Sequence, residues 1–382
     1  MRPQTDILII GVGGSGCSAV AALAAADWPE RPPLLAIDTE AHDVSLDSGV
    51  QFMQIGKRYL NGVGSGGDPR MGQRAMDEDL PALRPYLEQA RLVLLVTGLG
   101  GGVGTGAAPV IMAEARKSGA LTLALAMLPF DCEGRRRQDQ AAQGLLALQE
   151  AADGVVCLPN QRLMAEMADD APLEHLFENA HVFLHDCLQA LWRLLFRRGV
   201  INVSFADLCA LVRAGNGRCL MACASAAGDD KAEKAVAALL SHPLLDGGAG
   251  LRGASALILN ISGGPDLTLR ETRHIVERLG DNGAADAIMM TGMVCDPALS
   301  GKIWIMVFLA EDANPTVFGV ADKNASAPTS AVRGKATQLS LFGANAAGRF
   351  DGVEPTIMDS ENLDKPTYIR RGLPIQKVRD TL

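Results

Sequence analysis

The sequence predicts an α/β fold in which a parallel sheet with helices on both faces is followed by a long helix and a second, smaller α/β domain. Three observations lead there. Short apolar runs alternate with helical stretches up to Asn160, the order that builds a parallel sheet covered on both sides. Apolar residues then recur at three and four from Leu173 to about Arg198, as on a buried helix face. Beyond Gly199, strands and helices alternate again over a shorter span.

The stretch that organises the chain is Leu92 to Gly106, LVLLVTGLGGGVGTG. The run Leu92 to Val96 is too short to cross a membrane and suits a buried strand, and six glycines follow within Gly98 to Gly106. Ala107 to Lys117 reads as a helix. The loop therefore sits at a helix N-terminus, where backbone amides present partial positive charge, and a phosphate is its natural guest. One glycine suffices for a turn; six at one junction point to a backbone that must come close to something.

The remaining elements follow in order. Asp6 to Ile10 is a strand, followed by Gly11-Val12-Gly13-Gly14-Ser15-Gly16 and an alanine-rich helix to about Ala26. This is G-x-G-x-x-G with a strand before it and a helix after it. A second strand, Leu34 to Ile37, ends in Asp38, where a Rossmann fold places the acid that holds an adenosine ribose. On these residues alone a dinucleotide-dependent dehydrogenase leads. A third cluster, Gly62 to Gly67 with Asp68-Pro69, precedes a helical stretch from about Gln73 to Gln89. Three such turns exceed what one pyrophosphate requires.

The strand Leu121 to Met127 ends in Pro129-Phe130-Asp131-Cys132-Glu133-Gly134-Arg135-Arg136-Arg137. Arg135 and Arg136 read as a solvated helix start, whereas Glu133 and Arg137, four apart, both reach toward the crevice at the strand ends. Val155 to Leu158 is a further strand, ending in Pro159-Asn160. No G-x-x-x-x-G-K-[ST] occurs, so backbone amides without a P-loop lysine would hold the phosphates.

The long helix from Leu173 spans roughly 35 to 40 Å at 1.5 Å per residue, enough to join two domains rigidly. His181 and His185 lie four apart on it, and with no third ligand motif nearby they read as helix-face residues. The second domain has strands at Cys219 to Ser225, Ala254 to Ile261, Asp286 to Thr291 and Ile303 to Ala310, with helices near Lys231 to Leu240 and Leu269 to Leu279. From about Ala313 both periods vanish, as in a disordered linker, until Leu363 to Arg371 regains apolar and basic character. That end is either a docking peptide or a charged tail.

Composition narrows the class. With 44 acidic against 35 basic side chains, net charge −9 and no basic stripe before the C-terminus, the chain is not built for nucleic acid. No apolar run approaches the roughly 20 residues of a spanning helix, and MRPQTD is no signal peptide, so a soluble cytoplasmic protein is expected. The eight cysteines are scattered singly, which favours reduced core thiols over disulfides or a zinc site.

The glycine loop at Gly98 to Gly106, the PF-x-x-EGRRR segment, the long helix and Gly199-Val200-Ile201-Asn202-Val203-Ser204-Phe205-Ala206-Asp207 after it occur in order and together resemble the FtsZ family, the bacterial relatives of tubulin. The resemblance covers roughly residues 6 to 312, and Leu363 to Arg371 is similar to the family's C-terminal peptide. It implies a tubulin/FtsZ-like fold with a Rossmann-like nucleotide-binding domain at 1–172, a central helix at 173–198 and a second domain carrying the catalytic loop at 199–312. A linker at 313–360 and a partner-binding peptide at 361–382 complete the expected organisation. The implied activity is GTP hydrolysis by subunits that polymerise head to tail into protofilaments of the septal ring, at the division site, with ring and membrane-anchoring proteins bound through the peptide.

Carried over by position, Gly11 to Gly16 (with Gly13, Gly14, Ser15 and Gly16 at the phosphates), Gly64 to Gly67 (Gly66 and Gly67) and Gly100 to Gly106 (Gly101, Gly102, Val103, Gly104, Thr105 and Gly106) would cradle GTP or GDP. Glu133 and Arg137 would hold the ribose and phosphate side, and Asn160 and Phe177 the base. Asn202 and Asp207 would come from the neighbouring subunit to orient the attacking water, beside Mg2+ on the phosphates. Four positions depart from the family pattern. Val103 replaces a threonine, Ser18 and His181 replace the asparagine and aspartate that contact the purine, and Ser204 replaces the first acid of the inserted loop. Two readings follow: a GTPase in which Asp207 sustains slow turnover, or a nucleotide-binding filament protein that hydrolyses little. The dehydrogenase accounts for the first glycine loop alone.

Overall fold

The computed structural model describes residues 7–25, 32–41, 49–163, 173–197, 199–215, 217–283, 287–311, 357–358 and 361–362. The chain begins β1 (Ile7–Val12), α1 (Gly13–Ala25), β2 (Leu34–Asp38), β3 (Val50–Gln54), α2 (Lys57–Leu60), α3 (Pro69–Leu87), β4 (Leu92–Gly98), α4 (Gly102–Lys117), β5 (Leu121–Leu128), α5 (Arg135–Ala151) and β6 (Gly154–Pro159). It continues α6 (Asn160–Leu163), α7 (Leu173–Phe196), α8 (Phe205–Ala214), β7 (Gly217–Ala227), α9 (Lys231–Ser241), α10 (Ala249–Arg252), β8 (Ala254–Gly263), α11 (Leu269–Asn282), β9 (Ile288–Cys295) and β10 (Lys302–Glu311).

These ten strands form one sheet in the order β3-β2-β1-β4-β5-β6-β7-β10-β8-β9. The first seven in that order are parallel neighbours, and β10 runs antiparallel between β7 and β8. The two halves meet where β6 pairs β7 through Gly154–Gly217, Val155–Arg218 and Val156–Cys219. In residues 324–382, β11 (Ile357–Met358) pairs β12 (Glu361–Asn362) antiparallel. Otherwise the linker at 313–360 and the peptide at 361–382 lie outside the described residues. Among the described residues no helix is long and apolar enough to cross a membrane.

Strand alternation explains why the parallel strands read as unbroken apolar runs. In β4, Leu92, Leu94 and Val96 enter one core while Val93 and Leu95 enter the other, and β1 and β5 divide in the same way. Residues of α1 and α7 cover the first face; those of α3, α4 and α5 cover the second. Each fully buried leucine, isoleucine or valine contributes about 1.5–3 kcal/mol by leaving water, so both faces are held by the same physics.

Four elements differ most from expectation. The helix after the central glycine loop begins at Gly102, five residues before Ala107, so half of that loop is the first turn of α4. Helix α3 begins at Pro69, before Gln73, because the Asp68 side chain accepts from Arg70 N at 2.9 Å and proline suits the first helical position. Strand β3 and helix α8 were not expected at all. The first is a partly exposed edge strand with glutamines at 51 and 54, so it lacks an apolar run; the second is started by a capping box inside a segment that reads as loop.

The early start of α4 has a packing cause. A Cβ at Gly106 would lie 1.9 Å from the Pro69 carbonyl oxygen and 2.7 Å from Gln73 N, and one at Gly72 would lie 2.4 Å from the Gly102 carbonyl oxygen. The first turns of α3 and α4 thus touch backbone to backbone. Gly106→Val is expected to force them apart and cost about 3 kcal/mol, the upper end of overpacking penalties, read as a lower thermal unfolding transition of the full chain.

Candidate functional site

Helices α1, α3 and α4 all begin on the same side of the sheet, at the C-terminal ends of the parallel strands, where open α/β sheets carry their ligands. Each N-terminus carries roughly half a positive charge on its free amides. Between them lies a cavity of about 520 Å³. Of the sequence-predicted residues, Gly13, Gly14, Ser15, Gly66, Gly67, Gly101, Gly102, Val103, Gly104, Glu133, Arg137 and Asn160 line it.

The glycines divide by what a side chain would meet. At Gly14, Gly66, Gly67 and Gly101 an added Cβ meets nothing within 4 Å, so their backbones are left bare toward open space. At Gly16 and Gly104 it would strike the carbonyl oxygens of Val96 (2.5 Å) and Gly98 (2.3 Å). Gly16, Thr105 and Gly106 are not among the lining residues. Thr105 is turned inward, its hydroxyl accepting from Gly100 N at 2.8 Å, which fixes the loop from behind. Val103 is buried, so where a threonine is expected an apolar side chain packs in the second core.

Glu133 and Arg137 do meet at the crevice. Arg137 Nη1 donates to Glu133 Oε2, and the other Glu133 oxygen accepts from Phe130 N at 2.8 Å. The ion pair is solvent-facing and contributes little to stability; its effect is to hold the guanidinium at the cavity wall. Asn160 begins α6 at the end of β6, is 7% exposed, and its Oδ1 has no hydrogen-bond partner. A buried acceptor left open costs about 1–3 kcal/mol, an expense that a ligand donor in this cavity would remove. Phe177 and His181 fall on α7, but their side chains lie outside the described residues; Ala180 between them reaches the cavity.

The cavity also takes residues that the glycine pattern does not reveal as ligand contacts: Ser18, Asp38, Thr39, Glu40, Val63 and Ser65. Asp38 sits at the end of β2 and accepts from Thr39 N at 2.7 Å. Its place at a strand end was the available signal.

Asn202 and Asp207 are not in the cavity lining. Their segment hangs between α7 and α8 and is clamped to β9, with Val200 N donating to the Met293 carbonyl at 2.8 Å and Met293 N to the Ile201 carbonyl at 2.8 Å. Asn202 Oδ1 accepts from Gly199 N at 2.8 Å. Asp207 is the third residue of α8, and hydrogen bonds from Ser204 hold its carboxyl below the usual carboxylate range.

Comparison with known proteins decides the family. The model of the GTPase domain of the Tubulin/FtsZ family matches residues 6–168, and that of the C-terminal domain of the FtsZ family matches residues 217–311. The cell division protein FtsZ 1 of Archaeoglobus fulgidus is 33% identical over 316 residues, covering 83% of this chain and 84% of its own. The chain belongs to the FtsZ family. The cell division protein FtsZ of Methanothermobacter thermautotrophicus is 34% identical over 316 residues, 83% of this chain and 82% of that one. A structure titled "FtsZ dimer, empty" from M. jannaschii superposes with a TM-score of 0.72 at 31% identity, covering 80% of this chain and 88% of that one. The FtsZ assignment makes the cavity that of a GTPase domain, in a cell division protein, and removes the dehydrogenase reading.

Because Gly101 faces open space, Gly101→Leu is expected to leave the fold intact and fill the cradle. Binding of GTP or GDP should weaken at least about 10-fold, or about 1.4 kcal/mol, in equilibrium dialysis, with the thermal transition unchanged.

Proposed function

We propose that this GTPase assembles head to tail into protofilaments and hydrolyses GTP at the contact between subunits, with Asn202 and Asp207 of one copy completing the site of the next. The observation that carries the reading is the division of the chemistry within one chain. The nucleotide cradle is built from the starts of α1 and α4, the loop before α3, the ends of β2 and β5 and Asn160, whereas Asn202 and Asp207 lie outside its lining, on the segment that follows the C-terminal end of α7 and is clamped to β9 through Val200 and Ile201. A contact that joins two different patches does not close, and so it propagates as a filament. The M. jannaschii relative, described as an FtsZ dimer, supports self-association.

Within the cradle the open amides and Arg137 bind the phosphates, and Glu133 holds the ribose side. Asn160 Oδ1 accepts from the donor edge of guanine, which presents N1–H and an amino group. Gly104 adds its backbone to the lining, Gly16, Thr105 and Gly106 support the loops from behind it, and Phe177 and His181 on α7 are assigned to the base. Magnesium would enter on the phosphates. Among the described residues no three His, Cys, Asp or Glu side chains form a metal group, and this ion ordinarily keeps waters and takes one or two carboxylates beside phosphate oxygens. Asp38 and Glu40 line the cavity and suit that part. The ion would offset phosphate charge, leaving Asp207 of the neighbour to orient water.

In the cell this assembly would form the septal ring, with the peptide at 361–382 recruiting ring and membrane-anchoring partners at the reach of the linker. Deleting residues 361–382 is expected to leave assembly of purified protein intact and to abolish ring localisation.

Hydrolysis is expected to rise steeply with protein concentration once filaments form, when phosphate release is followed beside light scattering. Asp207→Ala should lower turnover on the order of 100-fold while nucleotide binding by single subunits stays normal. Subunits with a blocked cradle but intact Asp207 should restore hydrolysis by Asp207→Ala subunits when the two are mixed. A mixture no more active than its parts would show that neighbours do not share the site.

A further inference from the structure

We propose that Ser204 is the positioning residue of Asp207. Its hydroxyl stands where the family pattern has a second acid and holds the one carboxylate of the segment in a single orientation. The inference rests on the reading that Asp207 acts in hydrolysis. Its basis is geometric. Ser204 Oγ donates to Asp207 Oδ2 at 2.7 Å, Ser204 N donates to the same oxygen at 2.8 Å, and Asp207 N donates back to Ser204 Oγ at 3.2 Å. Both residues stand on a segment whose other end is fixed by Gly199, Asn202 and Met293.

Two carboxylates at this spacing would repel, and one would be driven toward its protonated form. A serine at 204 turns that repulsion into two donated hydrogen bonds while still serving as the cap of α8. The consequence has two sides. Asp207 remains charged to lower pH than an ordinary carboxyl, and as a weaker base it removes a proton from water less readily. The site therefore trades rate for a carboxylate that is always ready.

Among the described residues no other charged group contributes to the lowering at Asp207. Arg213 on α8 itself, Arg91, stacked on the Phe205 ring at 5.0 Å, and Asp153 act on Cys209 instead. The Asp207 carboxyl is moved down first by the Ser204 hydroxyl and then by its backbone amide, with burial opposing weakly.

The test is the pH profile of GTP hydrolysis per assembled subunit, with pelleted protein as the denominator, for the full chain and for Ser204→Ala, Ser204→Thr and Asp207→Ala. Sign follows from the geometry. Removing the donor lets Asp207 protonate at higher pH, so the acid limb should move up in Ser204→Ala toward that of an ordinary carboxyl, with turnover at about pH 4 falling by roughly half relative to about pH 7.5, a larger fall than in the unaltered chain. Ser204→Thr keeps the hydroxyl and should restore the limb. A variant that merely loses a helix cap would assemble or fold less well, yet its limb per assembled subunit would stay put; that outcome, or a limb that threonine fails to restore, overturns the proposal. If Ser204→Ala does not assemble, Ser204→Asp retains a capping acceptor without the donor. Its limb must then lie above that of the unaltered chain, and an unmoved limb again overturns the inference. Unchanged turnover in assembled Asp207→Ala would instead remove the reading beneath it.

Discussion

The contact on which the site depends is the one between the first turns of α3 and α4. Gly72, Gly102 and Gly106 let the two backbones touch, and this close approach sets two helix N-termini side by side facing the same space. Helix α1 adds a third through Gly13, where a positive φ of 72° turns the chain out of β1. Convergent amides supply what a P-loop would gain from a lysine, so Arg137 is the only Lys or Arg side chain among the described residues that line the cavity. Positive potential here comes from fixed dipoles that need no side-chain ordering on binding, a form of preorganisation that side-chain cations cannot match.

That arrangement also explains which parts of the site could be read from sequence. A strand running into glycines and then a helix is a local pattern, and β4, its loop and α4 were legible for that reason. Glu133, Arg137 and Asn160 were expected at the strand-end crevice and do line it: Asn160 directly follows β6, and Glu133 and Arg137 stand on the turn and first helical residues after β5. What could not be read is the direction in which each glycine faces. Gly101 and Gly106 look alike in a string of letters, but one is bare toward the cavity and the other is pressed against Pro69. The difference is set by Pro69 and Gln73 at the start of α3, more than thirty residues before Gly106. The start of α8 is hidden because its signal, Ser204 with Asp207 three residues on, reads as site chemistry in the sequence and is also a helix cap in the structure. Likewise β10 enters the sheet between β7 and β8, an order that no local period encodes.

The first glycine fingerprint shows how one physical requirement can carry two functional meanings. The order β3-β2-β1-β4-β5-β6 is that of the doubly wound dinucleotide folds, and G-x-G-x-x-G falls at the same turn. Here Gly11 and Gly16 are required by each other, since a Cβ on Gly11 would lie 2.2 Å from the Gly16 carbonyl oxygen. A tight strand-to-helix turn needs those glycines whatever the guest. Discrimination lies in the rest of the chain: two further glycine turns, and a sheet that continues through β7 into a second group of strands.

On the proposed mechanism that second group bears on catalysis through β9. The segment from Gly199 to Asp207 is fixed to Met293 by main-chain hydrogen bonds, to itself by Asn202, and to α8 by the box of Ser204 and Asp207. A Cβ on Gly199 would lie 2.1 Å from the Met293 carbonyl oxygen, so the clamp is also steric. None of these contacts involves the nucleotide cavity. On the proposed mechanism the acid is therefore set in place before any neighbour arrives, and forming the contact between subunits orders nothing further on that side. On that mechanism, what remains for assembly to supply is position alone, which would convert two incomplete half-sites into one competent for hydrolysis.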